Sequence, residues 1–395
     1  MKILSIDDAK KFAHQHPNQK VVIITGVTGQ DGSFMVDYLL KNTPHIVFGG
    51  ARRLSVSNHE NIAHLEHEER FHLINFDLTD AHSISQTISQ LQPDYFINFA
   101  AQSFVKSSWD FPAQTWETNT TSLIHILESI RLHCPECRFY NAGSSEEFGD
   151  VAYSPQDEKH PLRPRSPYGA SKAAARQLVK VYRESYSLYA VQGWLFNHEG
   201  TRRGEEFVTR KITKAVAKIA KGMKDKTGYD TLGLGNLDVF RDWADAEDCV
   251  DAVWRMMNQE DYRGDWTKRP EGGILILPPR TLNLHEHIRE YVVSTGETHT
   301  VREFVERAFK AAGITGYWHG EGLHERYHYR KEGGDILLPR TPLVSINAAY
   351  YRPAEVDKLL GNLTLIKNEL GWTPKTTFGG LVEKMVKRDL ELIGY

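Results

Sequence analysis

A chain of 395 residues is longer than one hydrophobic core usually supports, so we expect two lobes that share a cleft. Its net charge of −3 supplies no long-range field that would gather nucleic acid or a membrane surface. The apolar runs are too short to cross a bilayer and the polar segment from Ser5 to Lys20 lacks a signal-peptide core, which predicts a soluble, cytoplasmic protein.

The predicted elements alternate between strands and helices from residue 21 onward. Residues 1–20 are interpreted as a polar N-terminal extension with a short helix at Ile6 to His14. Val21 to Ile24 is a β-branched run typical of a strand buried on both faces. The next predicted elements are helix Gly32 to Lys41, strands His45 to Gly49 and Phe71 to Asn75, helix Ser83 to Leu91, strand Tyr95 to Phe99, helix Trp116 to His133, strand Arg138 to Ala142, helix Tyr168 to Ser187 and strand Val191 to Leu195. This alternation predicts an α/β fold with a Rossmann-like, doubly wound parallel sheet over residues 21–196.

The order of elements becomes mixed after residue 196. Residues 197–395 are expected to form mainly a smaller, mixed α/β substrate-binding lobe, with a segment at about 245–260 that returns to the first lobe. The predicted elements there are helices Phe207 to Lys221, Ala246 to Asn258, Val301 to Ala312 and Phe378 to Leu392, strand Tyr291 to Ser294, and a long loop from Arg263 to Arg280.

The cysteines are too few for a disulfide framework, in agreement with a reducing compartment. Cys134 and Cys137 could form half of a zinc site or a redox dithiol, but no second pair has suitable spacing. A structural loop is the favoured interpretation.

A glycine-rich turn lies between the first predicted strand and the first helix. Gly26, Gly29 and Gly32 are spaced three residues apart, and this spacing lets backbone N–H groups and the helix N-terminus approach a pyrophosphate closely. The turn predicts dinucleotide binding, and its contact residues are expected to include Thr28, Gln30 and Asp31.

The end of the second predicted strand indicates which dinucleotide is bound. NAD-binding enzymes often carry an acidic residue there, whereas this chain has Arg52 and Arg53. Guanidinium groups match a 2′-phosphate, so NADP is favoured; the alternative is two solvated surface arginines. Residues after the next two strands are expected to line the same cleft, namely Asp77, Leu78, Phe99, Ala100, Ala101, Gln102 and Ser103.

Four residues form the predicted catalytic group. Tyr168 and Lys172 share one face of a helix, and an ammonium near the phenol is expected to lower the tyrosine pKa. In an extended chain, Ser144 and Glu146 point to the same side, toward the carboxyl edge of the sheet. Glu147 faces the other way and is expected to be a solvated charge.

These motifs together resemble the extended short-chain dehydrogenases/reductases, and longer strings narrow the resemblance to the GDP-mannose 4,6-dehydratase family. The strings run from Ile24 to Ser33, Arg165 to Ala170, Leu195 to Glu199, Arg202 to Gly204, Phe207 to Ile212, Leu234 to Asp238, Arg241 to Trp243 and Tyr350 to Asp357. The resemblance implies a hydro-lyase that acts on a GDP-sugar with NADP as cofactor.

The resemblance also implies roles for individual residues. Tyr168, assisted by Lys172, removes the C4 hydroxyl proton as hydride passes to NADP. Glu146 then abstracts the C5 proton and protonates the departing C6 hydroxyl, before hydride returns to C6. Ser144 stands where threonine is usual and can still bond to O4. The further implied positions are His198 and Arg203 at the cofactor, and Asn197, Lys211, Asn236, Arg241, Arg352 and Glu355 at GDP.

Some features leave alternatives open. Phe104, Gln114 and Asn362 depart from the family pattern, and the stretches 262–289 and 317–343 differ from it, which leaves the sugar open between GDP-mannose and a related GDP-heptose. A 4-epimerase or reductase would not need Glu146, and an inert NADP-binding module would not need the catalytic group. The histidines of the two stretches lack metal-ligand spacing, so no metal is expected. A homo-oligomer, either dimer or tetramer, is expected by resemblance.

Overall fold

The computed structural model describes residues 2–52, 58–262, 287–330, 341–350 and 358–395. Within these ranges the strands are β1 (Ile3–Leu4), β2 (Val21–Thr25), β3 (Ile46–Ala51), β4 (Phe71–Asn75), β5 (Tyr95–Asn98), β6 (Arg138–Ala142), β7 (Ala190–Leu195), β8 (Asn197–Glu199), β9 (Leu232–Leu234), β10 (Phe240–Arg241), β11 (Trp243–Asp245), β12 (Val292–Val293), β13 (His299–Thr300), β14 (Gly316–His319), β15 (Arg326–Tyr329), β16 (Val344–Ile346) and β17 (Lys358–Leu359).

The helices of the same ranges are α1 (Ile6–Gln15), α2 (Gln30–Asn42), α3 (Ala81–Leu91), α4 (Ser107–Asp110), α5 (Pro112–Trp116), α6 (Ser122–His133), α7 (Pro167–Tyr186), α8 (Val208–Asp225), α9 (Ala246–Met257), α10 (Gln259–Tyr262), α11 (Val301–Ala311), α12 (Thr364–Leu370) and α13 (Phe378–Leu392). A π-helical turn at Glu117–Thr121 joins α5 to α6, and short 3-10 turns include Ser145–Glu147. No helix in the described ranges is long and apolar enough to span a membrane.

The largest sheet confirms the predicted doubly wound fold. Its strand order is β1-β4-β3-β2-β5-β6-β7-β12, and every neighbouring pair is parallel. All five residues of β2 are buried, as its β-branched run predicts. The chain leaves β2 toward β3 on one side and resumes at β5 on the other, and ligands bind such sheets where the strand order reverses.

The first residues of the chain are part of the sheet. Ile3 pairs with Leu73 and Leu4 with Ile74, so β1 forms an edge strand, and Ala9 of α1 is fully buried. The predicted N-terminal extension therefore contributes an edge strand and a buried helix residue to this lobe. Two residues are too short a run for sequence periodicity to indicate a strand.

The chain returns to the first lobe more often than predicted. Helix α9 is buried along most of its length and packs against α2 in the core of that lobe, where a return at about 245–260 was expected. Strand β12 joins the large sheet beside β7, and Ile366, Leu370 and Trp372 also belong to this core. Helices α8, α11 and α13 pack with β9 and β16 around a second core, which forms the smaller lobe.

Candidate active site

The glycine turn after β2 lies against the end of β5. Gly26 has a φ of +68°, and a Cβ there would lie 2.7 Å from the Ala100 nitrogen, so an L side chain fits neither the backbone conformation nor the space. Gly29 is the N-cap of α2, whose first turn contains Gln30, Asp31 and Gly32. Backbone N–H groups at a helix N-terminus favour an anion, so a pyrophosphate site at this turn stays a prediction.

A cavity of about 500 Å³ opens beside this turn at the carboxyl edge of the sheet. Its lining includes eight of the predicted cofactor residues, which are Gly26, Thr28, Arg52, Asp77, Leu78, Ala100, Ala101 and Gln102. Gln114, one of the departures from the family pattern, also lines it. Ser103 is exposed and is not part of the lining, while Phe99 packs against the Tyr140 ring behind it.

Asn119, in the π-helical turn, holds one wall of the cavity. Its side chain accepts a hydrogen bond from the Gln102 nitrogen at 2.9 Å and donates to the Gln102 oxygen at 3.0 Å. It also donates to the Ser171 hydroxyl on α7 at 3.0 Å. Sequence reasoning missed Asn119, because a π turn inside a helix has no signal in the spacing of apolar residues. Gln102 lines the cavity, and its Oε1 has no hydrogen-bond partner among the described residues.

Three of the predicted cofactor residues form a charged cluster at the start of α2. The Asp31 carboxylate contacts His198 Nε2 at 2.9 Å. Burial by itself raises the Asp31 pKa, but the charges of His198 and Arg203 and the hydrogen bond to His198 lower it to about 2. The His198 pKa is raised by Asp31 against the effect of burial. Arg203 pairs with Glu199 at 3.0 Å, so these side chains are fixed by one another.

The segment after β6 does not continue as an extended chain. Ser144 caps a 3-10 turn, and its hydroxyl accepts from the Glu146 nitrogen at 3.2 Å. Ser144 and Glu146 are both partly exposed, next to the start of α7, and the Ser144 hydroxyl lies near the Tyr168 phenol, whose pKa it lowers. The structure thus brings three of the four predicted catalytic residues together, although through a turn and not a strand.

Glu147 is a buried member of an ion pair. Its side chain has 0% exposure, and its Oε2 accepts from Arg176 Nε at 2.5 Å. The expectation of a solvated charge is therefore wrong. The partner is 29 residues away in the chain, and no local pattern indicated the pair.

Tyr168 and Lys172 lie on one face of α7, as predicted, and both are buried. Lys172 Nζ donates to the Ala142 oxygen at 2.8 Å and lies 5.9 Å from the centroid of the Tyr168 ring. Burial lowers the Lys172 pKa to about 8. Burial also raises the pKa of Tyr168, and the hydrogen bond with Ser144 opposes that rise. The prediction that Lys172 lowers the Tyr168 pKa is therefore wrong for the protein without a bound cofactor.

The structure describes four of the six predicted GDP residues, and none of these four is among the residues that line the cofactor cavity. The buried Asn197 Oδ1 has no partner among the described residues. Lys211 Nζ donates to the Gly233 oxygen at 2.8 Å and lies 3.7 Å from the centroid of the Tyr350 ring. The Asn236 side chain accepts from the Asp238 nitrogen, and Arg241 is buried in β10. Arg352, Glu355 and Arg53 fall outside the described residues.

Comparison with known proteins places this geometry in a family. The model of the GDP-mannose 4,6 dehydratase family matches residues 23–267 and 280–385. The chain belongs to the GDP-mannose 4,6-dehydratase family. It is 41% identical to the GDP-mannose 4,6 dehydratase of Drosophila melanogaster over 95% of this chain and 87% of that protein. It is 38% identical to the human GDP-mannose 4,6 dehydratase over 95% of this chain and 92% of the human protein.

Solved structures share the fold of this family member. A dTDP-glucose 4,6-dehydratase of Streptomyces venezuelae, solved with NAD, has a TM-score of 0.70 at 20% identity and covers 95% of this chain and 98% of its own. The RMD protein of Pseudomonas aeruginosa, solved with NADPH, has a TM-score of 0.66 at 21% identity and covers 95% of this chain and 100% of its own.

Proposed function

We propose that this protein catalyses the NADP-dependent 4,6-dehydration of a GDP-sugar, with GDP-mannose as substrate and GDP-4-keto-6-deoxymannose as product. One observation carries the proposal within the family: the Ser144 hydroxyl accepts from the Glu146 backbone nitrogen and is close enough to the Tyr168 phenol to lower its pKa. A proton acceptor, a hydrogen-bonding hydroxyl and a carboxylate therefore meet at the edge of the sheet where the cofactor cavity opens.

The first step is oxidation at C4 of the sugar. Tyr168 accepts the O4 proton, and Ser144 holds O4 by a hydrogen bond. NADP, when bound, supplies the hydride acceptor, and the positive charge of its oxidised ring lowers the pKa of a tyrosine beside it. The Lys172 ammonium, which donates to the Ala142 oxygen, would bind a ribose hydroxyl of the cofactor.

The second step is loss of water across C5 and C6. The C4 ketone acidifies the C5 proton, and Glu146 is the carboxylate at the partly exposed side of the turn that can take it. The same carboxyl group then donates its proton to the departing C6 hydroxyl, and water leaves. The hydride taken from C4 would return to C6, and the O4 proton held by Tyr168 would go to C5. Glu147 has no part in these transfers, because its carboxylate is buried and bonded to Arg176.

The preference for NADP rests on Arg52. This exposed residue lines the cavity directly after β3, where Gly50 and Ala51 provide no carboxylate for a ribose 2′-hydroxyl. A guanidinium at this place favours a 2′-phosphate. The glycine turn and the unpartnered Gln102 Oε1 fit the rest of a dinucleotide.

A homo-oligomer and a cytoplasmic location complete the proposal. Helices α6 and α7 pack side by side and expose apolar side chains on their outer faces, which a second copy would bury. These side chains are Ile124, Leu132, Val181 and Tyr186. Charged replacements at Leu132 and Val181 should yield monomers in sedimentation velocity, and an unchanged assembly would contradict this interface.

The proposed cytoplasmic location is supported by the free cysteines, which agree with a reducing compartment.

Mass spectrometry of the purified protein with GDP-mannose or with GDP-D-glycero-α-D-manno-heptose, without added reductant, tests the reaction. We expect loss of one water from GDP-mannose and no net NADPH, because hydride leaves C4 and returns to C6 in each cycle. Water loss from the heptose alone would keep the mechanism and change the substrate. No water loss from either sugar would refute the dehydratase and favour an epimerase, a reductase or an inert module.

A further inference from the structure

A row of buried polar side chains crosses the centre of the large sheet. The strand register places Thr25, Asn98, Asn141 and Gln192 next to one another on β2, β5, β6 and β7. The Thr25 hydroxyl donates to Asn98 at 2.5 Å, the Asn98 amide donates to Asn141 at 2.8 Å, and the Asn141 amide donates to Gln192 at 2.6 Å. Each is at most 5% exposed, so apolar residues would fill these positions at less desolvation cost.

The row ends at the catalytic segment. The Gln192 amide donates to Glu147 Oε1 at 3.1 Å and to the Lys172 oxygen at 3.0 Å. The same Glu147 oxygen accepts from the Ser144 backbone nitrogen at 2.8 Å. One carboxylate thus joins the backbone of the reactive serine to the polar row, and the row begins at the phosphate turn.

Arg176 ties this carboxylate to the catalytic helix. It lies on α7 one turn beyond Lys172 and two turns beyond Tyr168, and its side chain is 3% exposed. Its guanidinium contacts Glu147 at 2.5 Å on one side and Glu290 at 2.7 Å on the other. Burial of an ion pair carries a large desolvation penalty, and apolar residues of similar volume are often as stabilising. The Glu147–Arg176 pair instead fixes the position of the Ser144–Glu147 turn relative to α7.

We propose that Glu147 is a positioning residue for the dehydration: with Arg176 and Gln192 it holds Ser144 in register with Tyr168 and Lys172. The inference rests on the proposed function for the reaction in which Ser144 takes part. The positioning of Ser144 itself is inferred from the hydrogen bonds of Glu147. A serine side chain turns about a single bond, so its hydroxyl is only as well placed as its backbone. Displacement of a reacting group by about 1 Å can lower a rate on the order of 100-fold.

Three single variants separate positioning from stability. Glu147→Met removes the acceptor for the Ser144 nitrogen, whereas Glu147→Gln keeps an oxygen that can accept it; both leave Arg176 without this charge. Glu290→Gln also removes a carboxylate from Arg176 but keeps an oxygen that can accept from the Gln192 backbone nitrogen. No hydrogen bond or ion pair joins Glu290 directly to the Ser144–Glu147 turn in the described ranges, so it is the matched control. We expect kcat to fall on the order of 100-fold in Glu147→Met and roughly tenfold in Glu147→Gln, with KM for GDP-mannose within about threefold. Glu290→Gln should stay within about twofold of the wild type.

A double variant tests whether a low kcat in the single variants results from misfolding. Glu147→Met with Arg176→Met replaces the ion pair by an apolar pair of similar length and leaves no unpaired charge at these two positions. It should melt within a few degrees of the wild type and still show the low kcat. Wild-type kcat in this variant, or an equal loss of kcat in Glu147→Met and Glu290→Gln, would overturn the proposal.

Amide hydrogen exchange provides a readout that does not depend on turnover. Exchange of the peptide that contains Ser144 to Gly149, followed by mass spectrometry, should be faster in Glu147→Met and unchanged in Glu290→Gln, because only the first change frees the Ser144 N–H. Unchanged exchange in Glu147→Met would also overturn the proposal. If the wild type does not dehydrate GDP-mannose, the proposed function fails, while the exchange result still decides whether Glu147 holds this turn.

Discussion

Replacement of Gly26 by alanine tests the phosphate turn. An L residue at φ +68° costs roughly 1–2 kcal/mol. The new Cβ would lie 2.7 Å from the Ala100 nitrogen and 3.0 Å from the Phe99 carbonyl carbon, and these backbone atoms can move only with β5. Such overpacking costs about 1–3 kcal/mol more, while the stiffer unfolded chain offsets about 0.4–1 kcal/mol. We expect Gly26→Ala to lower the free energy of unfolding by about 3 kcal/mol.

Gly228→Ala is the control. Gly228 has a φ of +82° at the end of α8, but a Cβ there would meet no described atom within 4 Å. Only the backbone conformation opposes this change, so the expected loss is about 1 kcal/mol. Urea unfolding measures both losses. NADPH titration of the folded variants should show more than about tenfold weaker binding for Gly26→Ala alone. Equal stability losses and unchanged NADPH affinity would refute the close contact of the turn with β5.

Further predictions concern the charges of the site. The Lys172 pKa is lowered from 10.5 to about 8, so between these pH values the unfolded chain binds a proton that the folded chain lacks, and stability from this residue rises with pH. Lys172→Met should remove up to about 3 kcal/mol of this rise in the free energy of unfolding, measured by urea unfolding at pH 7.5 and 10. The same pH slope in the wild type and in Lys172→Met would contradict a buried ammonium at this position. Arg52→Ala should weaken NADP by about 10- to 100-fold and NAD far less, and equal losses would remove the argument for a 2′-phosphate. Glu146→Gln should keep NADPH binding but abolish deuterium exchange at C5 of the sugar in D2O; exchange at the native rate would mean that another group is the base.

Local patterns in the chain were sufficient to predict the scaffold. The β-branched run of β2, the glycines after it and the alternation of strands with helices predict a parallel sheet with a dinucleotide site, and the sheet order confirms that fold. The spacing of Tyr168 and Lys172 places both on one face of α7, because a helix repeats its faces every three to four residues. These features depend on neighbours in the chain, which sequence displays directly.

Contacts between distant residues decided the rest. Glu147 was expected to be solvated, but its burial is compensated by Arg176 on α7 and Gln192 on β7, which both lie far from it in the chain. The Tyr168 pKa depends on burial and on Ser144, neither of which the spacing to Lys172 reveals. Polar residues in apolar strands, such as Asn98 and Asn141, were a signal that sequence reasoning could have used. The sequence by itself determined the fold class and predicted a catalytic group, whereas the tertiary structure decided which charges are buried and what holds each one, because burial is set by elements that meet only after folding.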